Sequence, residues 1–155
     1  PHLSRRLEYR DVEVVFDLRA EPFALHRMDV MPGPLAIHLA HRGIDHVDLS
    51  EHIGDRPRDV SVFTQGSIDP ERFWARAWAQ EGLARLFNAY HEGRRIAILG
   101  RDDDLPFAHR ARCIGAWLWR QGIDSQHITL FDSTLSHDAI ESQLWRLGER
   151  LPPKV

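Results

Sequence analysis

Cysteine is nearly absent: among 155 residues, Cys113 carries the single thiol. An intramolecular disulfide is therefore excluded, and so is a zinc site built from several cysteines. Such a composition suits a reducing compartment, and the expected location is the cytoplasm. Long apolar runs are missing too. None approaches the roughly 20 residues needed to span a bilayer, and PHLSRRLEYR at the start lacks the apolar centre of a signal peptide. No membrane association is expected. Positive charge is not in excess either, with 20 Lys and Arg against 23 Asp and Glu, a net charge of -3 with neutral histidines. That balance argues against a broad nucleic-acid-binding surface. No internal repeat or linker interrupts the chain, so one domain over residues 1–155 is expected.

What is present is an alternation of strand and helix patterns. VEVVFDLRA, residues 12–20, has β-branched residues at its centre and charge at its exit, as a buried strand does. In MPGPLAIHLAHRG, Pro32, Gly33 and Pro34 predict a turn, followed by a short helix over 35–42 that Gly43 closes. IDHVDLS reads as a second strand. Residues 50–69 hold no period, which predicts an irregular connection long enough to be functional. Asp69 and Pro70 form a helix start, and the apolar stripe of Phe73, Trp74, Ala77, Trp78, Leu83, Leu86, Phe87 and Tyr90 predicts one helix up to Gly93. RRIAILG is the clearest strand, four apolar residues after a charged entry. A helix over 106–121, a fourth strand in DSQHITLF and a final helix capped by Ser136 and running to residue 150 complete the pattern. The expected fold class is α/β, a single domain with a mainly parallel sheet of about four to five strands flanked by helices.

In open α/β sheets ligands collect at the carboxyl ends of the strands. Four segments reach that edge. They bring Asp17 and Arg19, then Arg56 and Arg58, then Asp102, Asp103, Asp104, His109 and Arg110, and lastly residues 129–134. Guanidinium groups grip phosphates and carboxylates through two parallel bonds, and the amides of a helix beginning near Pro106 would assist. Plainer roles compete. The three aspartates suit the amino end of a helix, and Asp17 with Arg19 suits a structural ion pair. The five tryptophans fall at core spacing, and Cys113 sits on an apolar helix face. His38 and His41 lack the glutamate and third ligand of a zinc helix.

Five stretches, taken in order, resemble the domain-of-unknown-function 488 family. VVFDLRAEPFA is similar to that family's strand-and-arginine segment, and RGIDHVDLSEHIGDRPRD to its arginine loop. FTQGSID and AQEGLARLFNAYHEGRRIAIL follow, and ILGRDDDLPFAHRARCIGAWLWRQGIDSQHI lies over its CAExDPxxCHR pattern without a gap. The resemblance spans residues 12–145. It implies that Asp17, Arg19, Arg56, Arg58, His109 and Arg110 are site residues, with Asp102 in place of a glutamate. Gly100 and Ala108 replace the two family cysteines. Chemistry that needs those thiolates is thereby lost, while the anion-attracting groups remain. The family's first strand has no counterpart here, so the chain is expected to be a divergent form or a piece of a longer protein.

Three functions follow from these residues, with no cofactor specified by any. The first is a domain binding a small anionic molecule or nucleotide at the carboxyl edge of the sheet, through Arg19, Arg56, Arg58, Arg110 and Asp102. The second is an enzyme of hydrolase or lyase type, with His109 and Asp17 in catalysis and the aspartates around a hard divalent ion. The third is an interaction module, a homo-oligomer or the partner of another protein, because a sheet lacking one strand exposes an edge. The three clustered aspartates further predict that the loop over 50–69 brings Arg56 or Arg58 to Asp102, Asp103, Asp17 or a bound anion beside His109.

Overall fold

The computed structural model describes residues 2–20, 31–101, 107–128 and 133–147. Asp102, Asp103 and Asp104 lie outside the described residues, and the helix expected from residue 106 begins only at 109–110, because Phe107 and Ala108 are turn and bend. The chain divides into two compact units, residues 1–57 with 81–101 and residues 58–80 with 102–155.

The first unit is built on β1 (Val14–Asp17), all four residues of which are buried. It is the middle strand of a three-stranded parallel sheet, flanked by β2 (Asp45–Asp48) and β5 (Ile96–Leu99) in the order β2-β1-β5. Val15 stands opposite His46 and Ala97, and Asp17 opposite Asp48 and Leu99. Side chains alternate along a strand, so Val15, Ala97 and Leu99 share a face. They pack there with Leu7 of α1 (His2–Glu8), with Leu35 and Leu39 of α2 (Pro32–Ala40), and with Val12 and Ile44. Both prolines of α2 fall in its first turn, where the missing N–H costs nothing. Pro32, Gly33 and Pro34 thus begin the helix, where the sequence pattern had placed a turn before it.

Residues 50–69 are more ordered than their lack of period suggests. α3 (Ser50–Ile53) follows β2 directly, and a 3-10 turn (Val60–Val62) leads into the hairpin of β3 (Phe63–Thr64) and β4 (Ser67–Ile68). Segments this short are fixed by local bonds, not by a repeating apolar face. Asp48 accepts the Ser50 N–H at 2.8 Å, and Asp59 accepts the Ser61 N–H at 3.0 Å.

The expected helix over 70–92 is two helices, α4 (Pro70–Trp74) and α5 (Ala77–His91). Asp69 caps α4 by accepting the Arg72 N–H at 3.1 Å. At the break the side-chain amide of Gln80 donates to the Trp74 carbonyl, taking the position that a backbone N–H would fill in a continuous helix.

In the second unit, a π-helical turn (Arg110–Gly115) runs into α6 (Ala116–Arg120). The wide turn leaves the Cys113 carbonyl to the indole N–H of Trp74, which donates to it at 2.6 Å. β6 (Gln126–Ile128) and β7 (Thr134–Ser136) form an antiparallel ribbon, and α7 (His137–Arg146) packs Ile140 and Leu144 around Ala111. Ser136 does cap α7, through the Ala139 N–H at 3.2 Å. The fourth strand of the sequence reading is therefore half of a hairpin. Among the described residues the parallel sheet has three strands, not four or five. Five residues separate β6 from β7, too few for the crossover of a dozen or so that parallel neighbours require. No helix among the described residues is long and apolar enough to cross a membrane.

One glycine tests the packing of the first unit. A Cβ on Gly82 in α5 would lie 2.7 Å from His52 Cβ and 2.8 Å from Ile53 Cγ2. Alanine ordinarily stabilises a helix by about 1 kcal/mol over glycine. Gly82→Ala should instead destabilise by about 1–2 kcal/mol, because the fully buried Ile53 and the His52 side chain would have to shift. Urea unfolding of the variant measures this, and a gain in stability would show that the two helices do not approach so closely.

Candidate functional site

Asp17 ends β1 at the carboxyl edge of the parallel sheet, 3% exposed. Extended chain brings Arg19, two residues on, back to the same face. The strand register sets His46 diagonally across from Asp17 on that face. These placements give the carboxylate four donors. Its Oδ1 accepts from Arg19 Nε at 2.8 Å and from the Arg19 backbone N–H at 3.1 Å. Its Oδ2 accepts from Arg19 Nη2 at 2.6 Å and from His46 Nε2 at 3.1 Å. The His46 tautomer follows: Nε2 carries the proton, since an ionised carboxylate only accepts.

Burial alone pushes the Asp17 carboxyl up, but the hydrogen bonds from Arg19 and His46, with the Arg19 charge, more than reverse it and leave it at about 2. The Arg19 guanidinium is fixed along its Nε–Nη2 edge, so Nη1 faces away from Asp17. Its side chain is 9% exposed.

A second acid supports the same edge. Asp55, after α3, accepts the Ala20 N–H through Oδ1 at 3.1 Å and donates its own N–H to the Leu18 carbonyl at 3.2 Å. Its Oδ2 lies 3.6 Å from Nε of Arg101, just past β5. The chain leaving β1 and the chain leaving β5 are thus both tied to Asp55. Arg56, beside it, is exposed.

The remaining sequence-derived residues lie in the second unit. Arg58 is exposed, and His109 and Arg110 are half-buried at the start of the π-helical turn. The His109 ring meets Phe73 edge to face, with centroids 5.3 Å apart. Cys113 is buried, and burial pushes its thiol up to about 12, the state of an inert core cysteine. Asp102 lies outside the described residues. Of the site residues named from sequence, the structure joins Asp17 to Arg19. Asp17 is met by Arg19 and His46, and Asp55 by Arg101, while Asp102 and Asp103, toward which Arg56 or Arg58 is expected to reach, lie outside the described residues. Among the described residues no group of three or more His, Cys, Asp and Glu could hold a metal ion. His38, of the HxxH pair, bonds Ser4 Oγ at 3.1 Å.

Sequence reasoning missed His46, Asp55 and Arg101. Nothing local marks them: His46 reaches Asp17 through strand register, and Asp55 reaches Ala20 across 35 positions. It also missed His127, His137 and Glu141 in the second unit, although His137 and Glu141 stand four apart on a helix, a spacing that pairs side chains.

Asp17→Asn turns an amide N–H toward donors and leaves buried Arg19 without its counter-charge. A loss of about 2–4 kcal/mol is expected in chemical denaturation. The pH dependence follows from a carboxyl lowered from its ordinary 3.8 to about 2. Its contribution is complete above the unfolded value and is lost as pH falls through the folded one. The wild-type protein should therefore lose roughly 1–2 kcal/mol between about pH 4 and pH 2 that the Asp17→Asn variant does not lose. Parallel curves for the two proteins over that window would contradict the assignment.

In comparisons with known proteins, no family model, no curated protein and no solved structure matches this chain, so the reading of its site rests on the geometry of Asp17, Arg19 and His46.

Proposed function

We propose that this protein binds a small anion, a carboxylate or the phosphate of a nucleotide, at the carboxyl edge of the parallel sheet beside β1. The observation that carries the reading is the place of the Asp17–Arg19 pair in the strand order. In β2-β1-β5 the chain leaves β1 for the strand on one side, and the next strand of the sheet lies on the other. Open α/β sheets bind ligands in the crevice at such a switch point. Asp17 and Arg19 end the strand from which the direction changes.

Arg19 is the cation of this site and Asp17 positions it. A carboxylate with four donors and a proton affinity this low is a poor general base at neutral pH. Held by two bonds, the guanidinium loses little freedom when an anion meets its Nη1 edge. Arg56 and Arg101 add positive charge within the same unit. The resemblance to the domain-of-unknown-function 488 family supports the choice of Asp17, Arg19 and Arg56. Gly100 and Ala108 in place of its cysteines, with an inert Cys113, support binding without a covalent thiol step. A cytoplasmic location agrees with this thiol-poor composition.

Thermal unfolding with phosphate, citrate and AMP tests the proposal. A ligand at ten times its Kd stabilises by about 1.4 kcal/mol, roughly 3–5 °C for a chain of this size. Arg19→Gln should abolish that shift for the ligand that gives it. A full panel without any shift, or a shift unchanged in folded Arg19→Gln protein, would reject the site.

A further inference from the structure

The second unit holds a row of buried titratable groups that the anion site does not use. Glu141 Oε1 lies 2.8 Å from His137 Nε2, and His137 Nδ1 lies 3.0 Å from His127 Nε2. His137 is 1% exposed and His127 7%. The three residues come from different elements: His127 from β6, His137 from the first position of α7, Glu141 from its next turn. Gly115, the last residue of the π-helical turn, receives them. A Cβ there would stand 2.7 Å from His137 Nδ1 and 3.2 Å from His127 Cε1. The His137 N–H also donates to the Ser125 carbonyl at 2.9 Å, so the row sits where hairpin, helix and π-helical turn meet.

We infer that Glu141, His137 and His127 form a proton-operated latch, which holds the β6–β7 hairpin and α7 against the π-helical turn and opens when the row takes up a second proton. The bonds fix the protons. Ionised Glu141 only accepts, so His137 carries its proton on Nε2 and its Nδ1 must accept. His127 therefore carries its proton on Nε2. One added proton is absorbed without loss of a bond. It enters at His127 Nδ1, the Nε2 proton of His127 passes to His137 Nδ1, and His137 becomes an imidazolium between Glu141 and the Nε2 lone pair of His127. A second proton on that lone pair sets two N–H groups and two cations face to face at 3.0 Å, and the row must part.

The surroundings sharpen the step. Arg110 of the π-helical turn and Asp124 before β6 act on His127 with opposite signs, the Ser125 hydroxyl lies 3.5 Å from its Nε2, and the Trp119 ring of α6 lies against His137. Burial first, then His137 and Arg110, push His127 down to about 4 from 6.5, against the opposing pull of Asp124. The closed form thus excludes the proton that an opened form binds near the ordinary histidine value. Opening is favoured progressively as pH falls from 6.5 toward 4 and gains nothing below that.

Imidazole nitrogen NMR of the full chain, with hydrogen exchange of the β6 and β7 amides, tests this from pH 7.5 to 3.5. At pH 7.5 both rings should carry their protons on Nε2. On acidification they should titrate as a coupled pair in two steps. Hairpin protection factors should then fall by up to about tenfold per pH unit through the second step. His127→Phe, which keeps a ring and removes the proton site, should make protection independent of pH over this range. The inference is overturned by an Nδ1–H tautomer of His127 at pH 7.5, by independent single-site titration of the rings, or by hairpin protection unchanged to pH 3.5. The wild-type spectra decide the matter even if the variant fails to fold. Zinc-induced shifts of the same ring nitrogens at neutral pH and one equivalent would also overturn it, by making the pair a metal site.

Discussion

A carboxylate carried into the interior at the end of β1 is the constraint around which the first unit is organised. An ionised Asp17 that is 3% exposed would be prohibitively costly without partners. Four donors from two residues meet that cost, and each has consequences. Arg19 must fold back along its own strand, which turns the chain at residues 19–20. His46 must present Nε2, which the register and facing of β2 bring to Asp17. Asp55 then secures the turned chain through the Ala20 N–H and the Leu18 carbonyl. The apolar cluster under α1 and α2 supplies the burial that makes these bonds strong, since a charge pair in a low dielectric gains far more than an exposed one. Stability and a preset guanidinium thus come from one arrangement.

The second unit meets a different problem, that of backbone groups freed by irregular helices. The π-helical turn releases the Cys113 carbonyl, and Trp74 covers it; the break between α4 and α5 releases the Trp74 carbonyl, and Gln80 covers that. The wide turn also brings the backbone at Gly115 against the His137 ring, which has no room for any side chain there. Irregular helix, bare backbone and buried histidines therefore belong to a single packing solution, and the polar row is satisfied from Glu141 through to His127.

Much of this was legible in the sequence, and the legible part has a common character. The three parallel strands, the Asp69 and Ser136 caps, the inert Cys113 and the Asp17–Arg19 pair each depend on residues within a few positions of one another, through alternation, capping or a two-residue spacing. What failed was continuity. A sustained apolar stripe predicted one helix over 70–92, because periodicity senses which face is buried and not whether each backbone bond is made. The strand at residues 126–128 has the right composition for a parallel sheet, yet the short connection to Thr134 commits it to a hairpin.

Sequence by itself determined the alternating α/β character, the end of β1 as a charged edge, and the place of the single cysteine on a buried helix face, since each is a property of neighbouring residues or of composition. Tertiary structure alone decided that His46 joins Asp17, that Asp55 ties Ala20 and Arg101 together, and that His127 faces His137 across Gly115. Those contacts join residues distant along the chain whose meeting depends on strand register and helix packing, which short-range pattern does not encode.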